Sequence, residues 1–467
     1  MPPTRSLRRD LSLSLADAAS YGVMVGVGET YLPAFALAAG IAPVAAGLVA
    51  TVPLLVGGLL QLAAPRAIAR VGNYRRWVVG CAAVQGLAFV PLAIAALLGR
   101  VPTVLVFAAA GLYWGAGMAA SAGWNGWMAK LVPEEVRGRF FARRQSMSQV
   151  TMLCGLAGAG LALQLIGHGR HALTVYAGMF TLAAAARLTS ALLLERHGRG
   201  VDATPRRPIR LRSVAPRLRG TSRASLLTYL VVAFAATSLG GPFLTPFLLR
   251  EQHLAYGEYT IFVAAVAIAK IAALPVVGNL IKRTGPRRML TFGAFGIAPL
   301  PFLWGLSGSI YYLVAMQIYA GVVWAAFELS MFLTLFSVDD ENERTTLQVW
   351  FSGLQALATA GASIVGGVAL ASLGSDRDAY FIVFAASGFA RLAAVTLLVR
   401  HLPVVVVRLP FLAVTQAWVL AIRPWGGTIL RPFVEGLERL GLPPWRRNDG
   451  TEDDNEDDSF DDRAATG

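Results

Sequence analysis

The chain alternates between long apolar stretches and short segments that carry charge, glycine or proline. Six apolar stretches are followed by a polar segment rich in Arg and Pro, and six more come after it. Each stretch approaches the roughly 20 residues that a helix needs to cross the hydrocarbon core of a bilayer. The pattern predicts membrane-spanning helices at 17–39, 43–64, 76–98, 103–129, 147–167, 172–194, 226–249, 258–281, 288–306, 310–336, 347–373 and 379–400.

The composition favours a membrane protein over a soluble one. Hydrophobic residues make up 55% of the 467 residues and charged residues only 15%, whereas soluble domains carry about 25% charged residues. The formal net charge is +14, but the basic residues lie between apolar stretches, so we expect a lipid bilayer and not nucleic acid as the partner. Cys81 and Cys154 have no Cys or His at metal-ligand spacing, so we expect no metal and no cofactor.

Basic residues concentrate in alternate connections between the apolar stretches. The positive-inside rule places such connections in the cytoplasm. An even number of helices then puts both termini on the cytoplasmic side of an inner membrane. The predicted organisation is a cytoplasmic segment at 1–16, a six-helix bundle at 17–194, a basic cytoplasmic linker at 195–225 and a second six-helix bundle at 226–400.

Two further segments follow the last apolar stretch. Residues 401–450 are apolar but are interrupted by Arg408 and Pro410, so we expect a cytoplasmic amphipathic segment at the membrane interface. Residues 451–467 include the acidic run TEDDNEDDSFDD, which predicts a disordered tail.

The two halves of the chain repeat each other. Pro33 in TYLPAF matches Pro246 in FLTPFL at a separation of 213, and the same separation relates RVGNYRR to RTGPRR. Near the end of each half, RLTSALLLERH from Arg187 resembles RLAAVTLLVRH from Arg391. Several matches in the same order predict two homologous bundles in parallel orientation. The symmetry of Arg187 and Arg391 favours a structural role that both halves share.

Residues 15–400 resemble the major facilitator superfamily, whose signature G-x-x-x-D-R-x-G-R-R lies between the second and third helices and again between the eighth and ninth. The resemblance implies a monomeric twelve-helix secondary transporter that works by alternating access. It also implies that the loop residues take part in the conformational change. The residues that match this signature, or occupy corresponding positions in later loops, are Arg70, Gly72, Arg75, Arg76, Arg137, Gly278, Arg283, Gly285, Arg287, Arg288 and Arg344.

The acidic residue of this signature is missing from both halves, because Ala69 and Lys282 stand in its place. In the family this acid is a latch during alternating access. Two hypotheses follow. The chain is a secondary transporter that uses other acids for the latch, or it is a transport-inactive membrane receptor or assembly factor with the same fold.

Three ionisable residues lie deep within predicted helices, where a charge is costly and usually faces the protein interior. In the fold that the resemblance implies, the first, fourth, seventh and tenth helices line a central cavity. Glu29 is then a proton site or a contact for a cationic solute, or else an interhelix hydrogen bond. Glu328 shares a helical face with Trp324, which suits an organic cation, although simple packing remains an alternative.

Lys270 is the lysine buried deepest in the pattern, and its partner is expected to be Glu328 or Glu29. If the pair faces the cavity, it serves proton coupling or binds a substrate carboxylate; if not, it ties helices together. Trp114 and Asn125 are eleven residues apart on the fourth helix, so they share a face that borders the cavity. Asp17 is interpreted as a charge at the membrane interface.

The leading functional hypothesis is therefore secondary active transport of a small organic solute. The sequence has no G-x-x-x-x-G-K-[ST] loop for a nucleotide, and its five histidines form no cluster, so an enzyme is not expected. Energy would come from an ion gradient, with protons as the default ion and Glu29 or Glu328 as the carrier.

Overall fold

The computed structural model describes residues 5–132, 134–167, 169, 171–198, 222–335 and 341–401. Within these ranges it describes all side chains except those of 5–8, 62, 129, 130, 134–139, 142, 222–224, 335, 341–350, 397 and 399–401. Most of the predicted linker, the predicted interfacial segment at 401–450 and the predicted tail at 451–467 lie outside the described residues. The part of the chain that the structure describes contains helices and short connections and no β-strand.

The described residues form twelve helical crossings, which are numbered in chain order, and a crossing that is broken into segments keeps one label. Eleven of them contain a stretch long and apolar enough to span a membrane. The remaining one, α9, is broken near Pro299 into two shorter segments. The crossings are α1 (Arg5–Val27, Glu29–Tyr31 and Leu32–Ala38), α2 (Pro43–Leu48 and Val52–Val71), α3 (Tyr74–Leu87 and Phe89–Leu97), α4 (Thr103–Leu131), α5 (Glu134–Ile166), α6 (His171–Glu195), α7 (Ser222–Gly240, Gly241–Phe243, Leu244–Pro246 and Phe247–Glu251), α8 (Tyr256–Thr284), α9 (Pro286–Ile297 and Leu300–Leu303), α10 (Ile310–Leu335), α11 (Glu341–Ser372) and α12 (Arg377–His401).

The twelve-helix prediction is confirmed, but several helices extend beyond the apolar stretches. The helix α5 begins at Glu134 and not at 147, and α11 begins at Glu341 and not at 347. Hydropathy marks the boundary of the bilayer, whereas a helix continues for as long as its residues favour it. Glu, Arg and Gln are good helix formers and extend both helices beyond the apolar core.

The two ends of the molecule are named by their connections. The distal end carries residues 39–42, 98–102 and 252–255, and the proximal end carries residues 72–73 and 285. Helices α1, α2 and α7 break near the distal end. Pro33 lies in the first turn of the segment Leu32–Ala38 in α1, and Pro246 is the last residue of the segment Leu244–Pro246 in α7. Proline lacks the amide hydrogen that a continuous helix requires, which accounts for breaks at these positions.

Helices α1 and α5 approach each other closely within the first bundle. A methyl group at Gly22 would overlap the main chain of Ser148, and one at Gly26 would overlap the carbonyl oxygen of Met152. Only glycine permits this separation of the two backbones. The contact holds the polar residues of α1 against those of α5 and α6.

The two bundles meet through α2 with α11 and through α5 with α8. The hydroxyl groups of Tyr31 and Thr260 lie 2.8 Å apart, and the amide of Gly257 donates to Oε1 of Gln164 at 2.9 Å. All four residues lie near the distal ends of their helices. These contacts close the distal end of the space between the bundles.

Candidate functional site

A cavity of about 150 Å³ lies on the proximal side of these contacts. Its walls come mainly from α1 to α6, and α11 of the second bundle contributes Ser352 and Gln355. An apolar cavity of this size accepts a molecule such as benzene, so a small organic solute fits. The aromatic part of the wall consists of Tyr21, Tyr113, Trp114 and Trp124.

Glu29 lies in the wall of the cavity, in the short turn that interrupts α1 after Gly28. Its atom Oε2 accepts a hydrogen bond from the hydroxyl group of Tyr113 on α4. The ring of Tyr113 packs against Phe89 at 5.1 Å, which fixes its position. Within the described residues, the structure gives Glu29 no ion pair. The structure therefore presents a carboxylate held by a neutral donor at the cavity surface.

Asp17 and Arg144 form an ion pair at the proximal part of the same cavity. The distance from NH2 of Arg144 to Oδ2 of Asp17 is 2.7 Å. Ser190 donates a second hydrogen bond to Asp17 at 2.6 Å, and Arg144 also donates to Ser14 at 3.2 Å. The pair joins α1 to α5 and α6, and its hydrogen bonds compensate the cost of burying the charges.

Arg187 extends this polar network to α3. Its Nε donates to Oε1 of Gln85 at 2.8 Å, and its NH1 donates to Ser190 at 2.7 Å. Its guanidinium carbon lies 5.0 Å from the centre of the Tyr21 ring, as in a cation–π contact. The sequence analysis assigned Arg187 to structure and Asp17 to the membrane interface, but both line the cavity. The spacing of Asp17 and Tyr21, four residues apart on one helical face, was the signal that could have indicated this.

Trp114 lines the cavity, as the sequence analysis expected, and its ring contacts Tyr113 edge-to-face at 5.5 Å. Asn125 does not line it and is exposed. Trp124 takes that place, with the guanidinium carbon of Arg144 at 4.2 Å from its ring centre. At the level of Trp124 the cavity borders α5, and Asn125, the next residue along α4, points about 100° away from Trp124. The expected shared face of Trp114 and Asn125 therefore does not extend along the whole cavity.

Lys270 and Glu328 form an ion pair between α8 and α10 of the second bundle. Nζ of Lys270 lies 2.9 Å from Oε2 and 3.2 Å from Oε1 of Glu328. The exposed apolar residues Ile261, Ile268 and Val276 lie on the other face of α8, because at 100° per residue they point roughly 120–180° away from Lys270. Lys270 thus points away from the expected lipid surface, and its partner is Glu328 and not Glu29.

This pair and Trp324 lie outside the wall of the described cavity. Trp324 is half-buried and packs edge-to-face on Phe327 at 5.8 Å. Sequence analysis grouped these residues with Glu29 because all lie deep in predicted helices. The structure separates them into two places, one in each bundle.

The loop motifs lie at the proximal end. Arg75 donates to the carbonyl oxygen of His197 at 3.1 Å and so caps the carboxyl end of α6, as cations commonly do. Gly72 ends α2 with a φ angle of +72°, which disfavours residues that have a Cβ. The side chains of Arg137 and Arg344 lie outside those described, so the expectation for them stays a prediction. Gly278 is half-buried, and Gly285 has a φ angle of +85°. The remaining residues of the loop motifs have exposed side chains: Arg70, Arg76, Arg283, Arg287 and Arg288.

Comparison with known protein families identifies this architecture. The family model described as Major Facilitator Superfamily matches residues 13–335. The chain belongs to the major facilitator superfamily. No curated protein sequence matches it significantly. Membership of this family points to a transporter. Among the described residues, no group of three His, Cys, Asp or Glu residues is placed to hold a metal ion.

Solved structures of other major facilitator proteins share the fold. A mutant of the nucleoside transporter NupG, in which one aspartate is replaced by alanine, superimposes with a TM-score of 0.66 at 12% identity, covering 84% of this chain and 99% of its own. The structure of NupG without that mutation has a TM-score of 0.62 at 11% identity, covering 84% and 99%. FucP in the outward conformation has a TM-score of 0.55 at 13% identity, covering 86% and 100%. At this identity the likeness concerns the fold alone.

Proposed function

We propose that this facilitator carries a small organic solute across an inner membrane by alternating access and couples the transport to protons. The observation that supports the proposal is the placement of Glu29 in the wall of a solute-sized cavity. A carboxylate in this position is accessible both to a proton and to a solute. The two binding events can therefore influence each other at one site.

The conformational part of the proposal rests on the contacts between the bundles. Tyr31, Thr260 and Gln164 close the distal end, and the cavity lies proximal to them. With the proximal end and both termini in the cytoplasm, as the distribution of basic residues favours, the structure corresponds to a state closed toward the outside. Rocking of the two bundles would break the distal contacts and expose the cavity to the opposite side. We propose that a monomer suffices, because the cavity is formed within one chain.

Glu29 is a better candidate for the proton carrier than Glu328. Both oxygens of Glu328 are held by the ammonium group of Lys270, so protonation of Glu328 would leave the half-buried Lys270 without its carboxylate partner. Glu29 is held by the hydroxyl group of Tyr113. A tyrosine hydroxyl donates to a carboxylate and accepts from a carboxylic acid, so this contact survives in both protonation states.

The alternative hypothesis, a transport-inactive receptor or assembly factor, is favoured by the missing acids of the loop motif. Ala69 and Lys282 occupy these positions and both are exposed. Neither can accept a hydrogen bond from the arginines nearby. In this case the cavity would bind a ligand without carrying it across the membrane.

Flux measurements in proteoliposomes test both hypotheses. The full-length protein is compared with Glu29→Gln, Glu328→Gln and the control Glu195→Gln, which changes an exposed residue at the end of α6. Uptake of a panel of radiolabelled neutral and charged solutes is measured with and without a pH gradient. We expect the wild type and the control to accumulate a solute when the gradient is imposed. We expect Glu29→Gln to exchange the solute across the membrane but not to accumulate it.

Accumulation by Glu29→Gln at the wild-type level would contradict the assignment of the proton carrier. If accumulation is lost only in Glu328→Gln, the coupling carboxylate is Glu328. If folded wild-type protein moves no solute of the panel, the receptor hypothesis replaces transport.

A further inference from the structure

Two glutamines from opposite bundles face the cavity at the place where the bundles meet. Gln61 lies on α2 and Gln355 lies on α11, and both line the cavity. One turn before Gln61, a methyl group at Gly58 would lie 2.8 Å from Cβ of Ala356. The two glutamines therefore lie beside a close contact between α2 and α11.

Each glutamine carries a buried polar atom without a hydrogen-bond partner among the described residues. The atoms are Oε1 of Gln61, an acceptor, and Nε2 of Gln355, a donor. Gln355 is 3% exposed, so its amide group is almost entirely removed from solvent. An unsatisfied buried polar group costs about 1–3 kcal/mol. A protein that retains such a group accepts a cost in stability. In the wall of a cavity, a bound ligand can supply the missing hydrogen-bond partner.

The charged groups in the proximal part of the cavity are compensated in a different way. Asp17 pairs with Arg144, and Arg187 is held by Gln85 and Ser190. The two unsatisfied atoms of the glutamines are both uncharged, and one is a donor and the other an acceptor. A ligand that satisfies both must present a donor and an acceptor together and needs no charge.

We propose that Gln61 and Gln355 recognise a neutral solute that carries a carboxamide or lactam group. The N–H group of the solute donates to Oε1 of Gln61, and its carbonyl oxygen accepts from Nε2 of Gln355. The ring of Trp114 in the same wall suits a planar solute. Because the glutamines belong to different bundles, the bound solute would bridge them. The inference rests on the proposed function, since it names the class of solute that the transport site takes.

Three pyridines of nearly the same size test this assignment. Nicotinamide has both the donor and the acceptor, 3-acetylpyridine has only the acceptor, and nicotinate is the anion. Binding of radiolabelled nicotinamide to the purified full-length protein in nanodiscs is measured at equilibrium, with the other two compounds as competitors. We expect saturable binding of nicotinamide, and we expect each competitor to bind about tenfold more weakly, the effect of one hydrogen bond.

The variants Gln61→Leu and Gln355→Leu locate the contact, and Gln355→Met provides a second substitution of similar shape. We expect each to weaken nicotinamide binding about tenfold. Only Gln61→Leu should abolish the preference over 3-acetylpyridine, because the carbonyl group that Gln355 contacts is present in both compounds. The control is Gln252→Leu, because Nε2 of Gln252 is also buried without a partner but lies outside the cavity wall. This control should leave the affinity unchanged.

Several results would overturn the inference. These are tighter binding of nicotinate, equal binding of 3-acetylpyridine, unchanged affinity in the glutamine variants, or no saturable binding of nicotinamide. A direct hydrogen bond between the glutamines would also overturn it. That bond would appear as coupling between Gln61→Leu and Gln355→Leu in the thermal stability of the ligand-free protein.

Binding and flux separate this inference from the proposed function. If nicotinamide binds as expected but no solute is transported, the recognition stands and transport fails. If other solutes accumulate with the pH gradient while nicotinamide does not bind, transport stands and this assignment of the solute class is wrong.

Discussion

Lys270 and Glu328 share a bidentate ion pair across the interface of α8 and α10, with Nζ within hydrogen-bond distance of both carboxylate oxygens. Glu328 is 6% exposed, so its charge is buried in the second bundle. Lys270 takes the place of water around the carboxylate of Glu328, whereas Lys270 itself is only half-buried. The effect of the pair on stability therefore depends on whether one or both charges are removed.

We expect Lys270→Met alone to destabilise the protein by about 3–5 kcal/mol, because it leaves the carboxylate of Glu328 buried without a partner. The double variant Lys270→Met with Glu328→Met should recover most of this loss, since no carboxylate is then left buried without a partner. Thermal unfolding in detergent and in nanodiscs measures both. A double variant less stable than Lys270→Met would contradict this expectation. It would show that Glu328 stabilises the fold even without Lys270.

Arg187 and Arg391 occupy matching positions but have different surroundings. Arg187 donates to Gln85 and Ser190, whereas Arg391 donates to the carbonyl oxygen of Ile297 and lies over the ring of Trp304. The Nε and NH2 atoms of Arg391 are buried without hydrogen-bond partners in the described residues. The repeat explains the difference. The separations of 213 and 204 residues place Ala298 and Ala394 where the first half has Gln85 and Ser190.

We expect Arg391→Met to retain solute flux and to unfold at the same or a higher temperature, because it removes an incompletely satisfied buried cation. We expect Arg187→Met to lose flux, because it disrupts the cavity wall and leaves Gln85 and Ser190 without their donor. Flux assays and thermal unfolding on the two variants make a matched comparison. Loss of flux in Arg391→Met with normal folding would assign a functional role to this residue.

His197 lies at the proximal end, where its ring contacts Trp127 at 5.4 Å and neither ring nitrogen has a hydrogen-bond partner among the described residues. Burial lowers the pKa of His197 below its usual 6.5, although Asp10 and Asp17 act in the opposite direction. Between the folded pKa and about 6.5, the unfolded chain binds more protons than the folded protein.

The free energy of unfolding is therefore expected to decrease as the pH falls from about 6.5 through this window. His197→Phe should remove this part of the pH dependence while keeping a ring against Trp127. Unfolding temperatures measured between pH 5 and pH 8 compare the wild type with this variant, and His171→Phe, at an exposed position, is the control. Identical profiles for all three proteins would refute the role of His197.

The close approach of α1 and α5 allows a prediction about a single methyl group. Gly26→Ala places this group against the carbonyl oxygen of Met152, so we expect a destabilisation of about 1–3 kcal/mol. Gly158→Ala is the control in the middle of α5, where nothing lies within 4 Å of the added group. There alanine is expected to stabilise the helix by about 1 kcal/mol. Thermal unfolding measures both, and equal effects would contradict the close contact.

Hydropathy and the internal repeat determined the twelve-helix fold and the division into two bundles. Each of these properties depends on the order of apolar residues along the chain. A bilayer requires roughly 20 apolar residues in each crossing, whichever residues they are. The sequence also indicated Lys270 and Glu328 as partners, because a buried amine needs a carboxylate. It did not determine where α5 begins, since helix formation continues past the apolar stretch.

The composition of the cavity was decided only by the tertiary structure. Asp17, Arg144 and Arg187 lie far apart in the chain, and each taken alone has the pattern of an interfacial or structural charge. Their contact depends on how closely α1 packs on α5 and α6, which the glycines of α1 permit. The same reason applies to Gln61 and Gln355. A helical pattern specifies which residues share a face, but only the packing of one helix on another determines what that face meets.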